Sequence, residues 1–116
     1  MKIIYFSLTG NVHRFVKKTD YDCIRGESDM IVGEDFILIT YTFSFGEVPK
    51  EVERFLENNH EHLSGVIGSG NMNWGVLYCK AAHIISEKYN VAILQKFELA
   101  GNIHDVAKFN KIMGEI

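Results

Sequence analysis

The junction between residues 3 and 18 constrains this chain more than any other stretch. The apolar run Ile3-Ile4-Tyr5-Phe6 stops at Ser7-Leu8-Thr9-Gly10-Asn11, and Val12, Phe15 and Val16 then follow at helical spacing, with Arg14, Lys17 and Lys18 on the other face. A strand therefore ends and a helix begins within one short turn. Ser7 and Thr9 bring hydroxyls to that turn, while Gly10 and Asn11 tolerate positive φ and let a ligand approach the backbone. Unpaired N–H groups at a helix start, the positive end of the helix dipole and neutral hydroxyl donors together make a cradle suited to a permanently bound phosphate. An ordinary helix cap has the same composition, so the turn alone does not decide between the two. Neither Gly-x-x-x-x-Gly-Lys-Ser/Thr nor a Gly-x-Gly-x-x-Gly after the first strand occurs, which argues against nucleotide hydrolysis and NAD binding.

Beyond the first helix, Cys23-Ile24 offers a short, weak strand, and the acidic segment Arg25 to Asp35 reads as a loop or hairpin around Met30-Ile31-Val32. Phe36 to Tyr41 is apolar with little alternation, as expected of a central strand covered on both faces. A helix is expected from Glu47, with Pro49 in its first turn and Val48, Val52, Phe55 and Leu56 on its inner face, ending in the polar Asn58 to His62. Val66-Ile67 suggests another short buried strand, and Gly68 to Gly75 a flexible loop. A third helix is expected to carry Trp74, Leu77, Ala81, Ile84 and Ile85 inward and to end at Asn90. Val91 to Leu99 then forms the last strand, and a terminal helix is marked by Val106, Phe109, Met113 and Ile116. This alternation predicts a three-layer α/β sandwich with a five-stranded parallel sheet of flavodoxin-like order 2-1-3-4-5, occupying residues 1–116 as a single domain. Response-regulator domains share that order but need an acidic cluster and a phosphoacceptor Asp where this chain has Ser7 and Thr42.

Composition narrows the function. A formal charge of −3 without any local cluster of Lys or Arg argues against nucleic acid as a partner. The N-terminal apolar run is too short for a signal peptide or a membrane span, so a cytoplasmic setting is expected. Cys23 and Cys79 lack Cys-x-x-Cys spacing and read as buried or idle thiols. His13, His60, His62, His83 and His104 are too scattered to suggest a metal site.

The predicted fold brings three loops to one edge of the sheet. The first offers the cradle, Ser7 to Val12. The second, from Thr40, carries Tyr41, Phe43 and Phe45 around Thr42, Ser44 and Gly46. The third carries Trp74 among Gly70, Asn71, Asn73 and Gly75. An aromatic slot with amide donors and acceptors beside a phosphate cradle suits a flat heteroaromatic ring with a phosphate tail, and FMN is that molecule. Without a nucleophile or metal signature, the chemistry is expected to be the cofactor's own.

The motifs Tyr5-Phe6-Ser7-Leu8-Thr9-Gly10-Asn11-Val12-His13-Arg14-Phe15, Thr40-Tyr41-Thr42 with Phe45-Gly46 and Val48-Pro49, Ser69-Gly70-Asn71 with Asn73-Trp74-Gly75, and Lys96-Phe97-Glu98-Leu99 with Gly101 together resemble the NrdI family, flavodoxin-like activators of ribonucleotide reductase. The resemblance spans nearly the whole chain. It implies a bound FMN whose reduced form converts dioxygen to superoxide or a related oxidant. It further implies delivery of that oxidant to the dimanganese small subunit of a class Ib ribonucleotide reductase, generating its tyrosyl radical, and a separate electron donor that reduces the flavin. A small electron-transfer flavodoxin is the alternative. The chain departs from the family where Phe43-Ser44-Phe45-Gly46 replaces a frequent Thr-Gly-Phe-Gly, Met72 a frequent Arg and Val76 a frequent acid. Serine at position 44 is expected to be strained only if a redox-linked peptide flip gives it positive φ.

Overall fold

A computed structural model describes residues 1–116. The elements alternate as β1 (Lys2–Tyr5), α1 (Asn11–Lys17), β2 (Ile24–Arg25), β3 (Phe36–Tyr41), α2 (Lys50–Asn59), β4 (Leu63–Gly70), α3 (Lys80–Tyr89), β5 (Ile93–Glu98) and α4 (Ile103–Glu115). All four strand pairings are parallel, and the sheet order is β2-β1-β3-β4-β5. This is the flavodoxin-like order expected from the sequence.

Period-two alternation explains why the central strands show no polar face. Ile4, Phe36 and Leu38 pack into one core with Val52, Phe55 and Leu56 of α2 and Ala81, Ala82 and Ile85 of α3. Ile3, Tyr5, Ile37 and Ile39 face the other way, onto Val12, Phe15 and Val16 of α1 and Phe109 of α4. Phe15 anchors that second core: it stacks on Phe97 at 3.8 Å between centroids and meets Phe109 edge-on at 5.4 Å. Burying each such ring is worth about 2–3 kcal/mol. At the start of α4, Asn102 and Asp105 form a reciprocal capping box, which fixes where β5 hands over to the helix.

Several boundaries differ from the sequence expectation. Glu47 is not helical; it pairs with Phe43 through two backbone hydrogen bonds of 2.8 Å, and α2 starts at Lys50 with Pro49 as its N-cap. The fourth strand is eight residues long, absorbing Gly68, Ser69 and Gly70, because β3 on one side and β5 on the other pair with it along most of its length. Residues Met72–Leu77 form 3-10 turns broken at Gly75, whose φ of 57° is non-helical, so α3 begins only at Lys80 and Trp74 and Leu77 do not lie on its inner face. The last strand stops at Glu98, and Ile116 is exposed rather than packed. Of the two readings of Met30 to Val32, loop or hairpin, the structure has the loop. The buried Asn59 amide holds it, accepting from Val32 N at 2.7 Å and donating to Met30 O at 2.8 Å.

Candidate functional site

The β1–α1 turn is held by its neighbours. Ser7 is nearly buried and its Oγ accepts from the His13 N–H at 3.3 Å, while Arg25 at the end of β2 donates through Nη2 to the Ser7 carbonyl at 3.0 Å. Gly10 sits at φ 91°, which disfavours any side chain there, and a Cβ would lie 2.8 Å from Arg14 Nη1 and displace that guanidinium. Arg14 Nη2 donates to Asn11 Oδ1 at 2.7 Å, and Asn11 Nδ2 donates in turn to Thr9 Oγ1 at 3.4 Å. Below the turn, the Tyr5 hydroxyl and His13 Nδ1 are hydrogen-bonded at 2.7 Å.

The segment after β3 divides between support and lining. Thr40 is fully buried, with its hydroxyl donated to the Tyr41 carbonyl at 2.9 Å, and Thr42 Oγ1 accepts from Ala81 N in the first turn of α3. Burial, reinforced by the negative charge of Glu51, pushes the Tyr41 hydroxyl up to about 12, so it remains a neutral donor at physiological pH. Ser44 and Gly46 both have positive φ, 50° and 88°, in the tight turn closed by Phe43 and Glu47. The strain expected of Ser44 only after a peptide flip is therefore already present. Phe43 and Phe45 project outward, 44% and 74% exposed, and are not core residues.

The third segment packs tightly at its root. A Cβ on Gly70 would come within 2.7 Å of the Cys79 backbone nitrogen, so only glycine lets β4 end against the start of α3. Asn71 Oδ1 accepts from Asn73 N at 2.9 Å and shapes the turn that presents Trp74. Trp74 is half exposed and meets Phe45 edge-on, with ring centroids 5.9 Å apart.

These segments enclose one cavity of about 270 Å³ at the carboxyl ends of the strands. Ser7, Leu8, Thr9, Asn11 and Val12 line it from the first loop, Tyr41, Thr42 and Ser44 from the second, and Gly70, Asn71 and Trp74 from the third. Gly10, Thr40, Phe43, Phe45, Gly46, Asn73 and Gly75 lie outside that lining, where they set the shape of the turns or stand at the rim. Ser69, Leu77 and Leu99 also line the cavity and escaped the sequence reading. Leu99 looked like the end of a strand, yet it sits at φ 54° in the turn after β5, and the neighbouring Ala100-Gly101-Asn102 was the only hint of that turn. The hydroxyl-lined end and the aromatic end fit a phosphate and a flat ring respectively, which is the polarity FMN requires.

Cys23 and Cys79 are both free thiols. Burial raises Cys79 to about 11, partly offset by Tyr78 and Lys96, and burial likewise raises Cys23 to about 11. A thiol protonated at neutral pH is a poor nucleophile.

Comparison with known proteins agrees with this architecture. Among solved structures, a flavodoxin from Streptococcus pneumonia TIGR4 superposes with a TM-score of 0.74 at 22% identity, covering 98% of this chain and 94% of that one. A short-chain flavodoxin associated with a PDU bacterial microcompartment gives 0.73 at 17% identity, covering 97% and 93%. Oxidised flavodoxin 1 from Bacillus cereus gives 0.68 at 20% identity, covering 97% and 95%. At these identities the likeness is one of fold. The profile of the family described as NrdI flavodoxin-like matches residues 3–111, and on that match the chain belongs to the NrdI flavodoxin-like family, whose members bind FMN.

Proposed function

We propose that residues 1–116 act as a single FMN-binding domain that activates the dimanganese small subunit of a class Ib ribonucleotide reductase. The observation that carries the reading is the cavity itself, a hydroxyl-lined turn facing an aromatic wall, in a chain of this family. The phosphate belongs at Ser7, Leu8, Thr9, Gly10, Asn11 and Val12. The ring belongs between Trp74 and the Thr40 to Gly46 segment, with Gly70, Asn71, Asn73 and Gly75 shaping the wall. When bound, FMN would supply the electrons that reduce dioxygen to superoxide or a related oxidant, which would serve the small subunit in generating its tyrosyl radical.

The protein's own residues bind, orient and expose. Ser7 and Thr9 offer hydroxyl donors, Tyr41 stays protonated beside the ring, and Gly70 keeps β4 close against α3. The rim supports a docking role. Phe45 and Trp74 are exposed beside the cavity, and Val76, 94% exposed, follows Trp74 in the same segment. Apolar side chains left uncovered around a cofactor site suit contact with a partner protein. No helix is long and apolar enough to cross a membrane.

The test is direct. FMN-loaded protein is reduced anaerobically with dithionite, freed of excess reductant, and mixed with manganese-loaded small subunit and dioxygen. Electron paramagnetic resonance should show the tyrosyl radical. A protein acting only as a small electron-transfer flavodoxin would leave the small subunit without it.

A further inference from the structure

We infer that Arg14 is a positioning residue that sets the hydrogen-bond polarity of the phosphate turn, acting through Asn11 on the Thr9 hydroxyl. This rests on the FMN reading above and deepens it, because it names what makes the turn select a phosphorylated flavin over riboflavin.

Directionality carries the argument. A guanidinium has only donors, so Arg14 Nη2, 2.7 Å from the Asn11 side chain, must face its carbonyl oxygen. That fixes the amide orientation, which is otherwise free to flip. The Asn11 NH2 group is then the one turned toward Thr9, and Thr9 Oγ1 at 3.4 Å receives a hydrogen bond. A hydroxyl that accepts from a neighbour keeps its single hydrogen for another partner. Ser7 is arranged alike, since its Oγ accepts from His13 N. Both hydroxyls of the turn are thereby held ready to donate.

A phosphate dianion offers only acceptors, so two committed donors match it without reorganisation. With Arg14 removed, the Asn11 amide can flip and offer its oxygen to Thr9. The Thr9 hydrogen is then drawn to Asn11, and a lone pair faces the site. The riboflavin ring, bound at the Trp74 end, does not sense the change. Arg14 itself does not line the cavity, so it acts by position and not by contact.

The experiment titrates apo-protein with FMN and, separately, riboflavin, following flavin fluorescence. Arg14→Met keeps the length of the side chain and removes the donors; Arg14→Lys retains a donor-only group. We expect Arg14→Met to weaken FMN about five- to tenfold, the size of one ordinary hydrogen bond, with riboflavin affinity within twofold of wild type and Arg14→Lys recovering most of the loss. Retained riboflavin binding also shows that the variant is folded. Equal weakening of both flavins, or unchanged FMN affinity in Arg14→Met, would overturn the inference while leaving the FMN reading standing. Wild-type protein that binds neither flavin would overturn both.

Discussion

Ser69 and Leu99 are locked together in the lining of the cavity. The Ser69 hydroxyl donates to the Leu99 carbonyl at 2.7 Å, and Leu99 N donates to Gly70 O at 2.8 Å. Leu99 adopts φ 54°, a conformation that costs a leucine roughly 1–3 kcal/mol unless its surroundings enforce it. The paired hydrogen bonds are that enforcement. Ser69→Ala should therefore destabilise the fold by about 1 kcal/mol and weaken FMN a few-fold, because Leu99 is freed from the site. Urea unfolding and flavin titration check the two effects separately.

Ser44 carries its own strain, at φ 50° in the turn closed by Phe43 and Glu47. Glycine relieves the crowding of Cβ, worth about 1–2 kcal/mol, but adds about 0.5–1 kcal/mol of unfolded-state entropy. Ser44→Gly should leave the protein equally or slightly more stable, by up to about 1.5 kcal/mol, and Ser44→Val less stable. A lower melting temperature for Ser44→Gly would show that the Ser44 side chain makes a contact worth more than the strain.

Trp74 lines the aromatic end and has only Phe45 as an aromatic neighbour, so its exposed face is available to a ring. Trp74→Ala should weaken FMN roughly tenfold, given about 0.5–1.5 kcal/mol for aromatic stacking beyond the area buried, and should relieve quenching of flavin fluorescence. Fold stability should change little, because the side chain is half exposed.

Cys79 predicts a pH effect. Its thiol is raised from 9.0 to about 11 by burial, so the folded state holds the proton more tightly than the unfolded chain. The stabilisation is complete below pH 9 and is lost as pH rises through about 11. Cys23 and Tyr41 are raised as well and steepen the same fall. Unfolding free energies under reducing conditions should drop between pH 8 and 11 in wild type and drop less in Cys79→Ala. An equal drop in both would remove Cys79 as a cause.

The strand order and both cores were legible because periodicity reports burial: Phe36 to Ile39 has no polar face, and Val12, Phe15 and Val16 repeat at helical spacing. Loop geometry was less so. Gly75 closed the expected flexible loop, but Trp74, Val76 and Leu77 suit a helix, and nothing in them showed that helical geometry would wait until Lys80. Leu99 was hidden for the same reason: a leucine after a strand gives no sign of a left-handed conformation fixed by Ser69, distant in sequence. Thr40 entered as part of the Thr40-Tyr41-Thr42 motif, and a motif does not say which way a hydroxyl points. Its bond to the Tyr41 carbonyl turns it inward.

One measurement bears most directly on the central claim, the uptake of FMN by this cavity. The purified protein, incubated with excess FMN and passed through a desalting column, should emerge yellow with flavin absorbance equal to one FMN per chain, and Thr9→Glu, which opposes the phosphate charge, should retain far less. A wild-type protein that emerges colourless, or a Thr9→Glu variant that retains FMN as tightly as wild type, would contradict the account.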